Sequence, residues 1–206
     1  MHRSGTTLVS KILHDAGIFM GVWQDHNAES LPFLSLNQQM LAQQGADWLH
    51  PAVPERQLPH MPAPRDLYHW HWDIRSRWQR WQAAWRPRPW GWKDPRNTFT
   101  LPRWLECYPQ ARVLVVQREA EDVVRSLQQR NSRAGEVQDD ALEDETFARA
   151  LTHTYQRQAG FYQAQLGERL HTLHYEDMRQ QNAGAISAWE DFIGLRLRAS
   201  LQKYIR

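Results

Sequence analysis

The residues best suited to chemistry stand at the start of the chain, His2-Arg3-Ser4-Gly5-Thr6-Thr7. A glycine is flanked by three hydroxyls and led by a cation. Leu8, Ile12 and Leu13 follow at helical spacing, so the turn opens directly into a helix. Such a turn can aim several backbone N–H groups at one anion, and the helix N-terminus adds partial positive charge. Gly5 lets the backbone come close, and Arg3 supplies a full charge with several donors. By itself the hexapeptide reads equally as a phosphate cradle and as an N-capping turn on an amphipathic helix.

Other groups could complete an anion site. Arg118 and Ser126 are eight residues apart, with Asp122 between them. If Arg118 closes a strand and Ser126 lies two turns into the next helix, both side chains can converge on a second phosphate. Alternatively Arg118 is a solvated strand-end residue and Ser126 a helix-surface serine, with Asp122 capping the helix in either case. Lys93 closes a short apolar stretch, so it points at a ligand or forms a salt bridge with Asp94 or another nearby carboxylate. For acid–base work the candidates are Glu29, His26 and Asp25. Glu29 can instead sit in the first turn of a helix and complement its dipole. His69 and His71 flank Trp70, and Asp25 adjoins His26. Neither pair makes a ligand set, so no metal is expected.

The elements that must position these groups alternate between helix and strand. Helices are expected over about 6–16, from Pro32 to Gly45, over 73–85, 98–107, 123–130, 145–166, 184–192 and 200–205. Strands are expected at 89–93, 112–117 and 170–175; the β-branched run at 112–117 reads as buried on both faces. Residues 51–65 carry five prolines and no periodicity, which marks a long loop. Residues 131–144 read as a polar surface loop. The alternation predicts an α/β fold with a mostly parallel sheet, ligands lying off the carboxyl ends of its strands. The phosphate turn, Lys93 and Arg118 all fall where those ends should be. Only Met1 and His2 precede Arg3, so the strand that normally feeds such a loop is missing. The expectation is a late-called start or a sheet without that strand.

The chain has 206 residues, 41% hydrophobic and 23% charged, which suits one folded domain over 1–206. A net charge of +2 gives no footprint for nucleic acid. The single cysteine, Cys107, excludes an intrachain disulfide. No apolar run reaches membrane-spanning length. Of 11 tryptophans, seven lie between Trp70 and Trp92. Together with the prolines, residues 51–88 form an insertion that is a candidate acceptor lid. Its aromatic stripe could stack on a sugar or lipid, or serve as core.

Arg3-Ser4-Gly5-Thr6-Thr7 resembles the 5′-phosphosulfate loop of the sulfotransferase family. Arg118…Ser126, framed by Val-Val-Gln-Arg-Glu-Ala-Glu-Asp-Val-Val-Arg-Ser, is similar to that family's 3′-phosphate motif. Trp92-Lys93-Asp94-Pro95-Arg96, Tyr175-Glu176-Asp177-Met178 and Asn27-Ala28-Glu29-Ser30…Phe33 look like further landmarks, the last of bacterial members. The resemblance implies a three-layer, P-loop-like α/β fold. It also implies transfer of a sulfuryl group from 3′-phosphoadenosine 5′-phosphosulfate (PAPS) to a hydroxyl or amine, releasing 3′-phosphoadenosine 5′-phosphate (PAP). Ser4, Gly5, Thr6 and Thr7 would hold the 5′-phosphate and sulfonate, and Arg118 and Ser126 the 3′-phosphate. Arg3 stands where many members have lysine and would stabilise charge on the leaving oxygen. Lys93 would face the sulfonate. Glu29, with His26 as a second candidate, would be the base. The acceptor would be a carbohydrate, lipid or small molecule, the setting cytoplasmic and bacterial, with a homo-oligomer open. Competing readings are a truncated, non-catalytic nucleotide-binding or interaction protein of the same fold, and a P-loop nucleotide kinase. The kinase would want Gly-Lys-Ser/Thr after its loop, and this chain lacks it.

Overall fold

A computed structural model describes residues 1–53, 61–76, 78–79, 88–132 and 139–205. The chain divides into two compact units: Met1–Thr6 with Ala111–Gly194, and Thr7–Gln110 with Leu195–Arg206. The architecture is mixed α/β, a small parallel sheet flanked by helices.

In the first unit, β1 (Val113–Gln117) and β2 (Leu170–His174) pair in parallel, from Val113 opposite Leu170 to Gln117 opposite His174. The helices of this unit are α5 (Ala120–Asn131), α6 (Glu145–Leu166), α7 (Tyr175–Arg179) and α8 (Ala183–Ile193). Helix α6 starts at Asp144, whose carboxylate accepts the N–H of Thr146, and α8 ends at the left-handed Gly194. Val123, Val124 and Leu127 of α5 and Leu151 and Tyr155 of α6 supply core. Only Val116 of β1 is fully buried. Two-face burial was expected there, but among the described residues β2 is its only strand neighbour, so the rest of β1 is half-buried. The segment read as a polar loop is partly structured: a 3-10 turn at Asp140–Leu142 buries Leu142 completely. Residues 133–138 lie outside the described residues.

The second unit holds α1 (Thr6–Asp15) from Thr7 onward, α2 (Leu31–Ala42), α3 (Pro64–His71), α4 (Asn97–Cys107) and α9 (Arg198–Tyr204). Its core joins Phe33, Met40, Leu67 and Trp104, with Trp90 and Trp92 packed against them. Trp92 stacks on Phe33 with ring centres 4.1 Å apart, and Trp72 on Phe19 at 3.7 Å. Trp104 is core, and Trp90 and Trp92 are partly buried against it. Trp104 is 1% exposed, so its replacement by Ala would cost about 3–5 kcal/mol.

Several expectations are corrected here. No regular strand forms at 89–93: Trp90 makes a single parallel bridge with Phe19, and Gly91 N–H donates to the Phe19 carbonyl. Among the described residues no further bridge joins the two segments. Helix α3 begins one residue before the end of the stretch read as loop, because Pro64 fits its first turn while Leu67 and His71, four apart, bury on one face. Residues 54–60 of that loop, and Arg77 and 80–87 of the tryptophan-rich helix, lie outside the described residues.

Candidate functional site

The glycine turn is built from backbone conformations that side chains resist. Gly5 has φ 93° and Arg3 has φ 64°. A Cβ at Gly5 would overlap Cδ2 of Tyr175, so glycine is required there by φ and by space. Arg3 is a non-glycine residue in the left-handed region, a local cost of about 1 kcal/mol or more that the surroundings must offset. They do so with named bonds. Arg3 Nε donates to Ser126 Oγ at 3.0 Å, and Arg118 Nη1 donates to the Arg3 carbonyl at 3.3 Å. Ser4 is buried and its hydroxyl donates to the Met1 carbonyl at 2.8 Å. The first turn of α1 carries no carboxylate, so nothing acidic competes for its N–H groups.

Arg118 follows the last residue of β1 and lies at the centre of this cluster. Its guanidinium lies over the Tyr175 ring, 4.8 Å from the centroid. Nη2 is 3.7 Å from Asp122. Its Nε is buried without a hydrogen-bond partner. A buried unsatisfied donor is costly, and an anion at this position would satisfy it. Asp122 does not cap α5. The helix starts earlier, at Ala120, so Asp122 falls inside the first turn and pairs with Arg118 and, at 3.3 Å, with Arg125. Ser126, expected to face a phosphate, accepts from Arg3. The residues of both sequence motifs therefore meet in one place within the first unit.

A second cluster lies within the second unit. Glu29 is 2% exposed. Its Oε1 accepts from Lys93 Nζ at 3.1 Å and its Oε2 from Arg96 Nη1 at 3.0 Å. The same Arg96 nitrogen donates to Asp94 Oδ1 at 2.9 Å, and the Arg96 backbone N–H reaches that oxygen too. Asn37 ties Asp94 Oδ2 to Asn97, while Thr100 and Trp104 donate to its own carbonyl oxygen. Two carboxylates thus face two cations with every oxygen engaged. Burial pushes the Asp94 carboxyl up, against the pull of Arg96. Burial works against the Arg96 charge, but Asp94 and Glu29 outweigh it and hold the guanidinium more firmly protonated.

Of the carboxylates Lys93 could have paired with, it pairs with Glu29, while Asp94 is taken by Arg96. Glu29 precedes α2, whose N-cap is Ser30, so it does not occupy the first helical turn. The loop before it is organised by Asp25, whose Oδ1 accepts the N–H groups of Asn27 (2.9 Å) and Glu29 (2.7 Å). His26 is exposed on this loop, with Nε2 2.9 Å from Asn27 Nδ2. Thr7 Oγ1 donates to the Asn27 carbonyl at 2.9 Å, tying the start of α1 to the loop.

His71 was not singled out as a site residue. It is buried among Phe19, Phe33 and Trp90, with Nδ1 3.0 Å from Ser30 Oγ. Burial pulls its pKa down to about 4, so it is neutral at pH 7. In the sequence Arg96 appeared only as the last residue of the Trp92–Arg96 landmark; its two-residue offset from Asp94 was the signal that it could reach a carboxylate. Asn37 carried no signal. Among the described residues no three of His, Cys, Asp and Glu gather as a metal ligand set.

Glycine turn, strand-end arginine and helical serine gather within one unit of an α/β protein. A family model described as the sulfotransferase family matches residues 1–199, and the chain belongs to that family. No curated protein and no solved structure matched it. Sulfuryl transfer is therefore its general chemistry. No helix among the described residues is long and apolar enough to cross a membrane.

Proposed function

We propose that this protein transfers a sulfuryl group from PAPS to a hydroxyl or amine of a carbohydrate, lipid or small-molecule acceptor, releasing PAP, as a single sulfotransferase domain of a bacterial cytoplasm. The observation that carries the reading is the meeting of Arg3, Gly5, Arg118 and Ser126 around one turn, with a buried donor of Arg118 left unsatisfied. PAPS supplies the activated sulfuryl group. The residues present fit its two anionic ends: a glycine turn at a helix start and two arginines.

In this reading Gly5, Thr6 and Thr7 offer backbone N–H groups to the 5′-phosphosulfate. Ser4 and Thr7 contribute less through their hydroxyls, whose protons serve backbone carbonyls. Arg118 and Ser126 hold the 3′-phosphate. Arg3 neutralises charge growing on the leaving oxygen; it cannot act as an acid, because a guanidinium does not deprotonate. Lys93 adds charge at the transferring group. Sulfuryl transfer asks for alignment and charge stabilisation rather than covalent work, and the reading requires no metal.

Glu29 is the proposed base, with His26 the second candidate. Both Glu29 oxygens are held by cations, so Glu29 takes a proton only once Lys93 Nζ has left Oε1. His26 would have to give up the contact of its Nε2 with Asn27 Nδ2. The test is PAP formation from PAPS, without added divalent metal, across carbohydrate, lipid and alcohol acceptors. Acceptor-dependent PAP release with a sulfated product is expected. Phosphoryl transfer from ATP, with PAPS unused, would overturn the reading.

A further inference from the structure

The parallel register does more than join two strands. Gln117 lies opposite His174 at the end of the ladder, so the next residues, Arg118 and Tyr175, leave the sheet side by side. The Arg118 guanidinium covers the Tyr175 ring at 4.8 Å. One residue further, the Glu119 N–H donates to Glu176 Oε1 at 3.2 Å. The same tyrosine ring fills the space where a Cβ of Gly5 would stand. Arg118 in turn donates to the carbonyl of Arg3. Tyr175 therefore touches the glycine turn and the strand-end arginine at once, and those two are bonded to each other.

We propose that Tyr175 is a positioning residue, a brace whose ring sets Arg118 and the turn at Gly5 relative to each other. The proposal rests on the reading of these two groups as holders of the 3′- and 5′-phosphates of one nucleotide. Tyr175 acts through Arg118 and Gly5. The ring performs two tasks that a smaller side chain cannot share: it offers a π face to a cation that has one buried donor unsatisfied, and it fills the space beside Gly5. This also explains the glycine, since any side chain at position 5 would displace the brace. The distance between two phosphates of one ligand is fixed, so a rigid spacing between their holders favours a doubly phosphorylated nucleotide over a singly phosphorylated one.

The test uses the full chain with Tyr175→Phe, which keeps the ring, and Tyr175→Leu, which keeps apolar bulk but offers no π face. The first readout needs no ligand: amide hydrogen exchange. In the Leu variant, exchange should rise about tenfold or more at residues 2–6 and 118–120, with the interiors of β1 and β2 unchanged; the Phe variant should match the parent. The second readout is calorimetric affinity for PAP and for AMP. The Leu variant should lose most of the parent's preference for PAP over AMP, and the Phe variant should keep it within about twofold. Unchanged exchange in the Leu variant, or a rise spread over the whole unit, would overturn the brace. So would loss of PAP affinity in the Phe variant, which would place the hydroxyl on the ligand. Failure of the parent to bind PAP, with exchange behaving as stated, would overturn the PAPS reading and leave the brace standing.

Discussion

The glycine-turn cluster of the first unit and the carboxylate cluster of the second solve opposite electrostatic problems. Around the turn, Arg3 donates to Ser126, Arg118 pairs with Asp122, and the Nε of Arg118 is buried without a partner. Around Glu29, two carboxylates meet two cations and Asn37 closes the remaining positions. The first cluster gathers two guanidinium groups and leaves the Nε of Arg118 without a partner, which suits an anion. The second is neutral in sum and closed on itself, so its worth lies in holding Lys93 and the turn at Pro95. A buried network of this kind adds little net stability, yet removing one member is expensive, because the partner charge stays buried.

That contrast can be broken or sharpened experimentally. The largest effect is expected from Arg96→Ala, which leaves Glu29 and Asp94 with one cation between them. Stability in urea should fall by about 3–5 kcal/mol. A loss under about 1 kcal/mol would mean that the cluster is not closed as described.

Acid should weaken the second unit through His71. Its pKa in the folded chain, about 4, lies below its ordinary 6.5. The unfolded chain therefore binds the proton first as pH falls. The stability tied to neutral His71 is fully present above about pH 6.5 and drains away down to about pH 4, by about 3 kcal/mol in all. The measurement is denaturation midpoint against pH; His71→Leu should flatten that part of the profile whatever its absolute stability.

Arg118→Ala should do the reverse of Arg96→Ala. Its side chain is 23% exposed and its bonds are few, so stability should change by about 1 kcal/mol or less. PAP affinity should fall by about 10–100-fold, the worth of one or two charge-assisted hydrogen bonds. Smallest is Thr7→Val, which removes the hydroxyl tie to Asn27 at about 1 kcal/mol and leaves the backbone N–H groups in place.

The glycine turn opening into α1 was legible because glycine and hydroxyls ahead of a helical pattern have a mechanical meaning at short range. The strands at 113–117 and 170–174 were legible for the same reason, as runs of local character. The closed network was not. Glu29 and Lys93 are 64 residues apart and Glu29 and Arg96 are 67, and nothing local says that they meet. Lys93 was assigned to ligand, to Asp94 or to another nearby carboxylate, and nothing in its sequence neighbourhood singled out Glu29. Tyr175 looked like a strand end; its contact with Gly5 depends on the pairing of β1 with β2, a long-range fact. Asp122 was misplaced for a smaller reason. Helix α5 starts three residues before Val123, and helix ends are set by tertiary contacts as much as by caps.

The central claim, that the open cluster is the phosphate-holding half of a sulfuryl transferase, is tested most directly by calorimetric titration of the parent chain and Arg118→Ala with PAP and AMP, without divalent metal. The parent should bind PAP at least about tenfold more tightly than AMP, and Arg118→Ala should lose that preference while keeping its AMP affinity. Equal affinity of the parent for PAP and AMP, or an equal loss of both in the variant, would contradict it.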